Sequence, residues 1–235
     1  MAQTVFERHE KKFALSTGQF HALKAQLAPH MQPDAYGRHT ICSLYFDTED
    51  FCAARRQLDK PRFREKLRLR SYGVPTTGST VYVELKKKLS GVTYKRRAPL
   101  PYGEAIGWLV HGAAPSATGQ VIGEVDWFMK TNQPKPKAVI SYDRIALLGR
   151  EDAELRVTFD ENVRWRDTGL DLAKGVWGNR LIPHGTFLME IKTLGAIPCW
   201  LAHLLSGQDI YTQSFSKYGN VYQNIACQEG MLHAG

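Results

Sequence analysis

FREKLRLR, residues 63–70, sorts most of its apolar and charged side chains onto alternate positions. Successive side chains of an extended strand point to opposite sides, so Phe63, Leu67 and Leu69 share one face and Arg64, Lys66, Arg68 and Arg70 share the other. Four cations along one strand repel one another, so this face needs water or counter-anions. The same pattern recurs. In VYVELKKK (81–88), Tyr82, Glu84, Lys86 and Lys88 oppose Val81, Val83 and Leu85. In ELRVTFD (154–160), Glu154, Arg156, Thr158 and Asp160 oppose Leu155, Val157 and Phe159, and in FLMEIK (187–192) Glu190 and Lys192 oppose Phe187, Met189 and Ile191. Near the start Arg8, Glu10 and Lys12 share a face, and Arg144 shares one with Tyr142 and Ile140.

These faces carry eleven cations (Arg8, Lys12, Arg64, Lys66, Arg68, Arg70, Lys86, Lys88, Arg144, Arg156, Lys192) against five carboxylates (Glu10, Glu84, Glu154, Asp160, Glu190). Burying that excess dry would cost several kcal/mol per unpaired ion, so the surface is wet or filled with anion. An open sheet with one face in solvent and a closed barrel with charge inside both fit the alternation. The excess of one sign favours the barrel, whose low-dielectric walls focus the field on a multiply charged anion. The fold expected is therefore α+β: an eight-stranded antiparallel β-barrel with helices packed outside.

Strands are expected near 4–14, 39–47, 62–73, 80–89, 92–99, 137–148, 154–162 and 185–194. Ser16 is placed to cap a helix carrying Phe20, Leu23 and Leu27, and Thr48 to cap a second with Glu49 and Asp50 in its first turn. Two helices are expected in 102–132, one after Pro198, and a last one in 216–229. Residues 73–79 read as a hairpin loop, 132–137 as a Pro-broken connector, and 167–184 as a surface excursion. With 235 residues and no internal repeat, the chain reads as one domain, 1–235.

The formal net charge of +8 favours anionic partners. Cys42, Cys52, Cys199 and Cys227 form no C-x-x-C pair and read as reduced thiols in or near the core; the eight histidines show no triad or metal spacing. The charged N-terminal stretch is no secretory signal and no run is long enough to span a membrane, so a cytoplasmic location is expected. Nucleic-acid-binding sheets expose aromatics for stacking, and these faces carry few, so no nucleic-acid partner is expected. Glu10, Glu84 and Glu190 each open a Glu-x-Lys unit. They either neutralise neighbouring cations or offer oxygen to a hard divalent metal that bridges to phosphate.

The ordered set Arg8-x-Glu10-x-Lys12-Phe13, SLYFDT (43–48), REKLRLRSYG (64–73), VELKKK (83–88), YKRR (94–97), SYDR (141–144), LRVTFD (155–160), MEIK (189–192) and FSKY (215–218) resembles the VTC-type polyphosphate polymerase domain of the triphosphate tunnel metalloenzyme (CYTH-like) superfamily. The resemblance implies a tunnel in which the ATP γ-phosphoryl group passes to a growing inorganic polyphosphate chain with Mn²⁺ or Mg²⁺. It implies that Lys12, Arg68, Arg70, Lys86, Arg144 and Arg156 grip phosphates. Arg8, Arg64, Lys66, Lys88 and Lys192 would add substrate contacts. Glu190 would hold the metal, with Glu84 and Glu10 as the further metal candidates from the Glu-x-Lys units, and Ser216 and Lys217 would close one end of the site. The family also places an arginine ahead of the RLR strand, a role for which Arg55, Arg56 and Arg64 compete. A separate membrane protein partner is in keeping with the family. The hydrolytic branch carries Glu-x-Glu-x-Lys on its first strand. Here Arg8 replaces the first of those carboxylates, which favours phosphate grip over water activation. A triphosphatase or tripolyphosphatase in the same tunnel, and a polyphosphate-binding module without chemistry, are the rival expectations.

Overall fold

The structure is a computed structural model that describes residues 9–90, 92–228 and 230. Arg8 and the opening of the first expected strand lie outside these residues. The elements in chain order are β1 (His9–Ser16), α1 (Thr17–Leu27), β2 (Met31–Pro33), β3 (His39–Asp47), α2 (Cys52–Asp59), β4 (Phe63–Tyr72), β5 (Thr80–Leu89), β6 (Val92–Pro101), α3 (Tyr102–Leu109), α4 (Gln120–Asn132), β7 (Lys135–Gly149), β8 (Arg156–Arg166), β9 (Asn179–Arg180), β10 (Thr186–Thr193), α5 (Cys199–Ser206) and α6 (Lys217–Gln228). The class is α+β, with antiparallel sheet and helices, as the alternation predicts.

Two compact units divide the chain. The first holds residues up to Thr40, Tyr142–Val163 and Ile182–Phe215; the second holds Ile41–Ser141, Arg164–Leu181 and the chain from Ser216 on. In the first unit the strand order is β1-β10-β8-β7, with β2 also on β7. Antiparallel pairing sets Lys12 opposite Glu190 and Glu190 opposite Thr158, while Glu10 faces Lys192 and Lys192 faces Arg156. The other sides of these strands supply Phe13, Leu15, Val157, Phe159, Phe187, Met189 and Ile191 to a core that α1 and α5 complete with Phe20, Leu23, Leu27, Leu201 and Leu205. Ser16 begins α1 as expected. Its Oγ accepts from Gln19 N at 3.2 Å, and Gln19 Oε1 accepts from Ser16 N at 3.0 Å, a reciprocal capping box.

In the second unit β3, β4, β5 and β6 are hydrogen-bonded neighbours in that order, with β7 beside β3. Leu44, Phe46, Leu67, Leu69, Val81, Val83 and Leu85 form the core face, covered by Trp108, Leu109, Val125 and Phe128 of α3 and α4. Thr48 is not the N-cap of α2. The helix begins at Cys52, after Phe51 in the left-handed region (φ 55°). Its open amides are met from the loop: Thr48 Oγ1 accepts from Cys52 N at 3.1 Å, and the Asp47 carboxylate accepts from Ala53 N at 2.8 Å and Ala54 N at 2.9 Å. Buried Asp47 also accepts from Tyr218 OH at 2.9 Å, which ties α6 to the end of β3. The expected excursion at 167–184 contains a short 3₁₀ turn, Leu172–Lys174, and β9. All four cysteines are free, but only Cys42 is buried. Cys199 and Cys227 are exposed, against the expectation of core thiols, because they fall on the solvent sides of α5 and α6.

Candidate functional site

The charged strand faces build one cluster in each unit. In the second unit the cluster is organised around Glu84, which is 1% exposed. Its carboxylate lies 2.7 Å from Arg68, 2.7 Å from Lys95, 3.2 Å from Arg97 and 3.9 Å from Arg70. Register explains the assembly: Glu84 stands between Arg68 on β4 and Arg97 on β6, and the neighbouring row is Lys66, Lys86, Lys95. Arg64 faces Lys88 one step further along. Burial alone would raise the Glu84 carboxyl, but Arg68, Arg70 and Lys95 outweigh it and hold it far below the usual range. The Lys95 ammonium is pushed down to about 8, first by burial and further by Arg68 and Arg70, against the pull of Glu84.

Arg68 is held from a second side. Its guanidinium donates to Tyr45 OH at 3.1 Å, and Tyr45 stacks on Tyr218 with ring centroids 4.6 Å apart. Arg70, 7% exposed, donates to Ser43 Oγ at 3.4 Å. Burial would raise the Tyr45 phenol, yet Arg68, Arg70 and Lys217 together keep it below its ordinary value. SLYFDT and FSKY therefore position Arg68 through a chain of aromatic and phenolic contacts. Ser216 caps α6, its Oγ accepting from Gly219 N at 3.2 Å. Lys66 donates to Gln57 at 3.3 Å and Arg64 to the Pro61 carbonyl at 3.2 Å. Of the arginines competing for the place ahead of β4, Arg55 pairs with Asp50, and Arg56 lines a recess with Asp47, Glu65 and Phe128. Glu65 belongs to the strand side opposite the cationic row, so Arg64 is the one of the three carried on the charged face itself.

In the first unit Lys12, Glu190 and Thr158 form a row across β1, β10 and β8. Glu190 pairs with Lys192 at 2.6 Å, and Glu10 pairs with Lys12 at 3.2 Å. Lys12 Nζ also donates to the Phe215 carbonyl at 2.9 Å. Burial works to raise the Glu190 carboxyl, but Lys192, Lys12 and Arg144 hold it well below the ordinary value, so it stays charged. Arg144 makes a two-pronged bond to Asp160, at 2.6 and 2.7 Å. This geometry commits two of its nitrogens to the carboxylate. Arg156 pairs with Asp34 at 3.1 Å, with its side chain 43% exposed.

No group of three or more His, Cys, Asp or Glu side chains suited to a metal occurs among the described residues. Glu84, expected either as a metal ligand or as a neutraliser of neighbouring cations, is surrounded by Arg68, Arg70, Lys95 and Arg97. Glu190 and Glu10 lie on adjacent strands, diagonal in register, and together offer at most two carboxylates. That supply suits a hard cation of the Mg²⁺ type, which takes one or two protein carboxylates and completes its shell with phosphate oxygens and water.

Lys95 and Arg97 are site residues that the strand-face inventory omitted. Their signal was present: they alternate on β6, and the tight β5–β6 turn places them beside Lys86 and Glu84. Asp34, at the end of β2, carried no local signal.

The fold and these rows define an antiparallel-sheet protein with strongly cationic strand faces gathered around single acidic side chains. The chain belongs to the VTC domain family, whose model matches residues 7–225. A candidate adenylate cyclase from Bacillus halodurans shares the fold at TM-score 0.56 with 18% sequence identity, the match covering 92% of this chain and 96% of that one. A candidate adenylate cyclase from Vibrio parahaemolyticus matches at TM-score 0.50 and 10% identity, over 94% of this chain and 99% of that one. At such identities the likeness carries the fold and not the reaction. A search of curated proteins finds no match. No helix among the described residues is long and apolar enough to cross a membrane.

Proposed function

We propose that the chain is a polyphosphate polymerase that transfers the ATP γ-phosphoryl group onto the end of an inorganic polyphosphate chain, with Mn²⁺ or Mg²⁺. The observation that carries this reading is the row Lys12–Glu190–Thr158, flanked by Lys192, Arg156 and Arg144. It sets one ionised carboxylate among cations, which suits a phosphate chain neutralised by protein and metal together. The family match, which runs through both units, supports treating them as one functional domain.

Phosphoryl transfer asks for position and charge neutralisation more than for covalent help. The terminal phosphate oxygen of the acceptor chain is the nucleophile. It attacks the γ-phosphorus in line, a new P–O–P bond forms, the β–γ bridge breaks, and ADP leaves with the bridging electron pair. No protein nucleophile is needed. Arg68, Arg70, Lys86 and Lys95 supply positive charge for phosphate oxygens, with Arg68 oriented by Tyr45 and Glu84. Lys12, Lys192 and Arg156 supply it around Glu190. A divalent ion held by Glu190, and within reach of Glu10, would add Lewis-acid charge on the phosphates when bound. Glu10 and Glu190 are each already paired with a lysine, an arrangement poor in the spare carboxylate that activation of water requires.

The test is stoichiometry. With ATP, Mn²⁺ and a short polyphosphate primer, ADP should accumulate while orthophosphate stays far below it. Equal yields of ADP and orthophosphate would make the protein a hydrolase, and tight polyphosphate binding without ADP would make it a binding module.

A further inference from the structure

Two polar atoms on the charged face of β8 have no hydrogen-bond partner among the described residues: Thr158 Oγ1 and Arg156 Nε. Thr158 is 2% exposed, so water does not freely serve its hydroxyl. Buried polar atoms are nearly always satisfied, and an exception calls for a water, ion or ligand. These two are neighbours on one strand face, two residues apart, and so project to the same side. Each stands opposite a member of the Glu190–Lys192 pair, Thr158 facing Glu190 and Arg156 facing Lys192. Arg156 keeps its place through Asp34, which engages a terminal nitrogen and leaves Nε–H for another acceptor.

We infer that Thr158 is a substrate-binding residue: its hydroxyl and Arg156 Nε–H together donate to one tetrahedral oxyanion, a phosphoryl group of the bound phosphate chain, seated beside Lys192. The chemistry of the set selects this ligand. Two hydrogen-bond donors on one strand face, backed by an ammonium, suit the oxygens of an anion, whereas a metal ion would be repelled by the guanidinium. The inference rests on the functional reading above, because it takes a phosphate chain as the occupant.

Thr158→Val keeps the side-chain shape and removes the donor, and Thr158→Ser keeps the donor. The probe is inorganic tripolyphosphate titrated calorimetrically in the presence of Mn²⁺, with the melting temperature of each ligand-free protein as the structural readout. A hydrogen bond to a charged group is worth enough that Thr158→Val should bind roughly ten- to a hundredfold more weakly. Thr158→Ser should stay within about threefold of wild type on the same scale. The ligand-free Thr158→Val protein should melt at or above the wild-type temperature, because a methyl group replaces an unsatisfied buried hydroxyl. Wild-type affinity in Thr158→Val overturns the inference alone. Equal weakening in both variants, with lowered melting temperatures, also overturns it, by giving Thr158 a packing role. A wild-type protein that binds no tripolyphosphate overturns the functional reading beneath it.

Discussion

Replacing Glu84 by Gln should destabilise the ligand-free protein and make it more dependent on phosphate. Glu84 is 1% exposed and stands within 4 Å of Arg68, Lys95, Arg97 and Arg70. Removing one partner of a buried ionic group leaves uncompensated charge and costs about 3–5 kcal/mol. Arg97 is 33% exposed and Lys95 45%, so water screens part of the excess and the lower figure, about 3 kcal/mol, applies. For a chain of this length each kcal/mol moves the melting temperature by roughly 2–4 °C, which gives a fall of about 6–12 °C. A polyanion supplies the missing negative charge, and a ligand at a hundred times its Kd stabilises by about 2.7 kcal/mol. Tripolyphosphate should therefore raise the melting temperature of Glu84→Gln by more than it raises that of wild type. The assay is thermal unfolding followed by circular dichroism in phosphate-free buffer, with and without tripolyphosphate. An unchanged ligand-free melt would refute the counter-ion role. So would a tripolyphosphate shift smaller than in wild type, which would make Glu84 a ligand for the metal–phosphate complex.

Glu190→Gln should abolish ATP turnover with the far-ultraviolet circular dichroism unchanged; full Mn²⁺-dependent activity in that variant would remove Glu190 from the site. Arg68→Ala should lower kcat/KM for ATP by over about tenfold, since a charge-assisted contact of roughly 1.5–3 kcal/mol is lost, and steady-state kinetics that match wild type would exclude the β4 row from the substrate site. The position of Lys95, held down to about 8, predicts a pH effect on binding. As pH rises through that value the free protein loses the ammonium charge, and a bound polyanion, which favours the protonated form, must recover the proton from solution. Tripolyphosphate affinity should then weaken above pH ~8 by up to about tenfold per unit, a slope that Lys95→Met should flatten. An equally steep slope in Lys95→Met would assign the titration to another group.

The strand faces were legible because period-2 alternation follows directly from backbone geometry. FREKLRLR and VELKKK lie in β4 and β5 with Leu67, Leu69, Val83 and Leu85 in the core and Phe63 exposed, and Ser16 caps α1 from local chemistry alone. What alternation does not carry is register. The neighbour of a side chain across a sheet depends on how distant segments align, so the engagement of Arg144 by Asp160, of Arg156 by Asp34 and of Glu84 by Lys95 and Arg97 was invisible, although most of these residues were singled out for other reasons. Strands as short as Met31–Pro33 and Asn179–Arg180 fall below any periodic signal. Thr48 is a good N-cap residue by type, but Asp47, brought to the helix start by the end of β3, satisfies two of the α2 amides and leaves Thr48 one.

On the proposed reading, phosphate transferred by this protein stays in a chain. Phosphorus NMR of the protein with ATP and diamagnetic Mg²⁺ measures this directly, because internal phosphates of polyphosphate resonate apart from orthophosphate and ADP. Growth of the internal-phosphate signal in step with ADP, and its loss in Glu190→Gln, is the result expected. ATP consumed with orthophosphate as the phosphorus product, or ATP left intact under either metal, would contradict it.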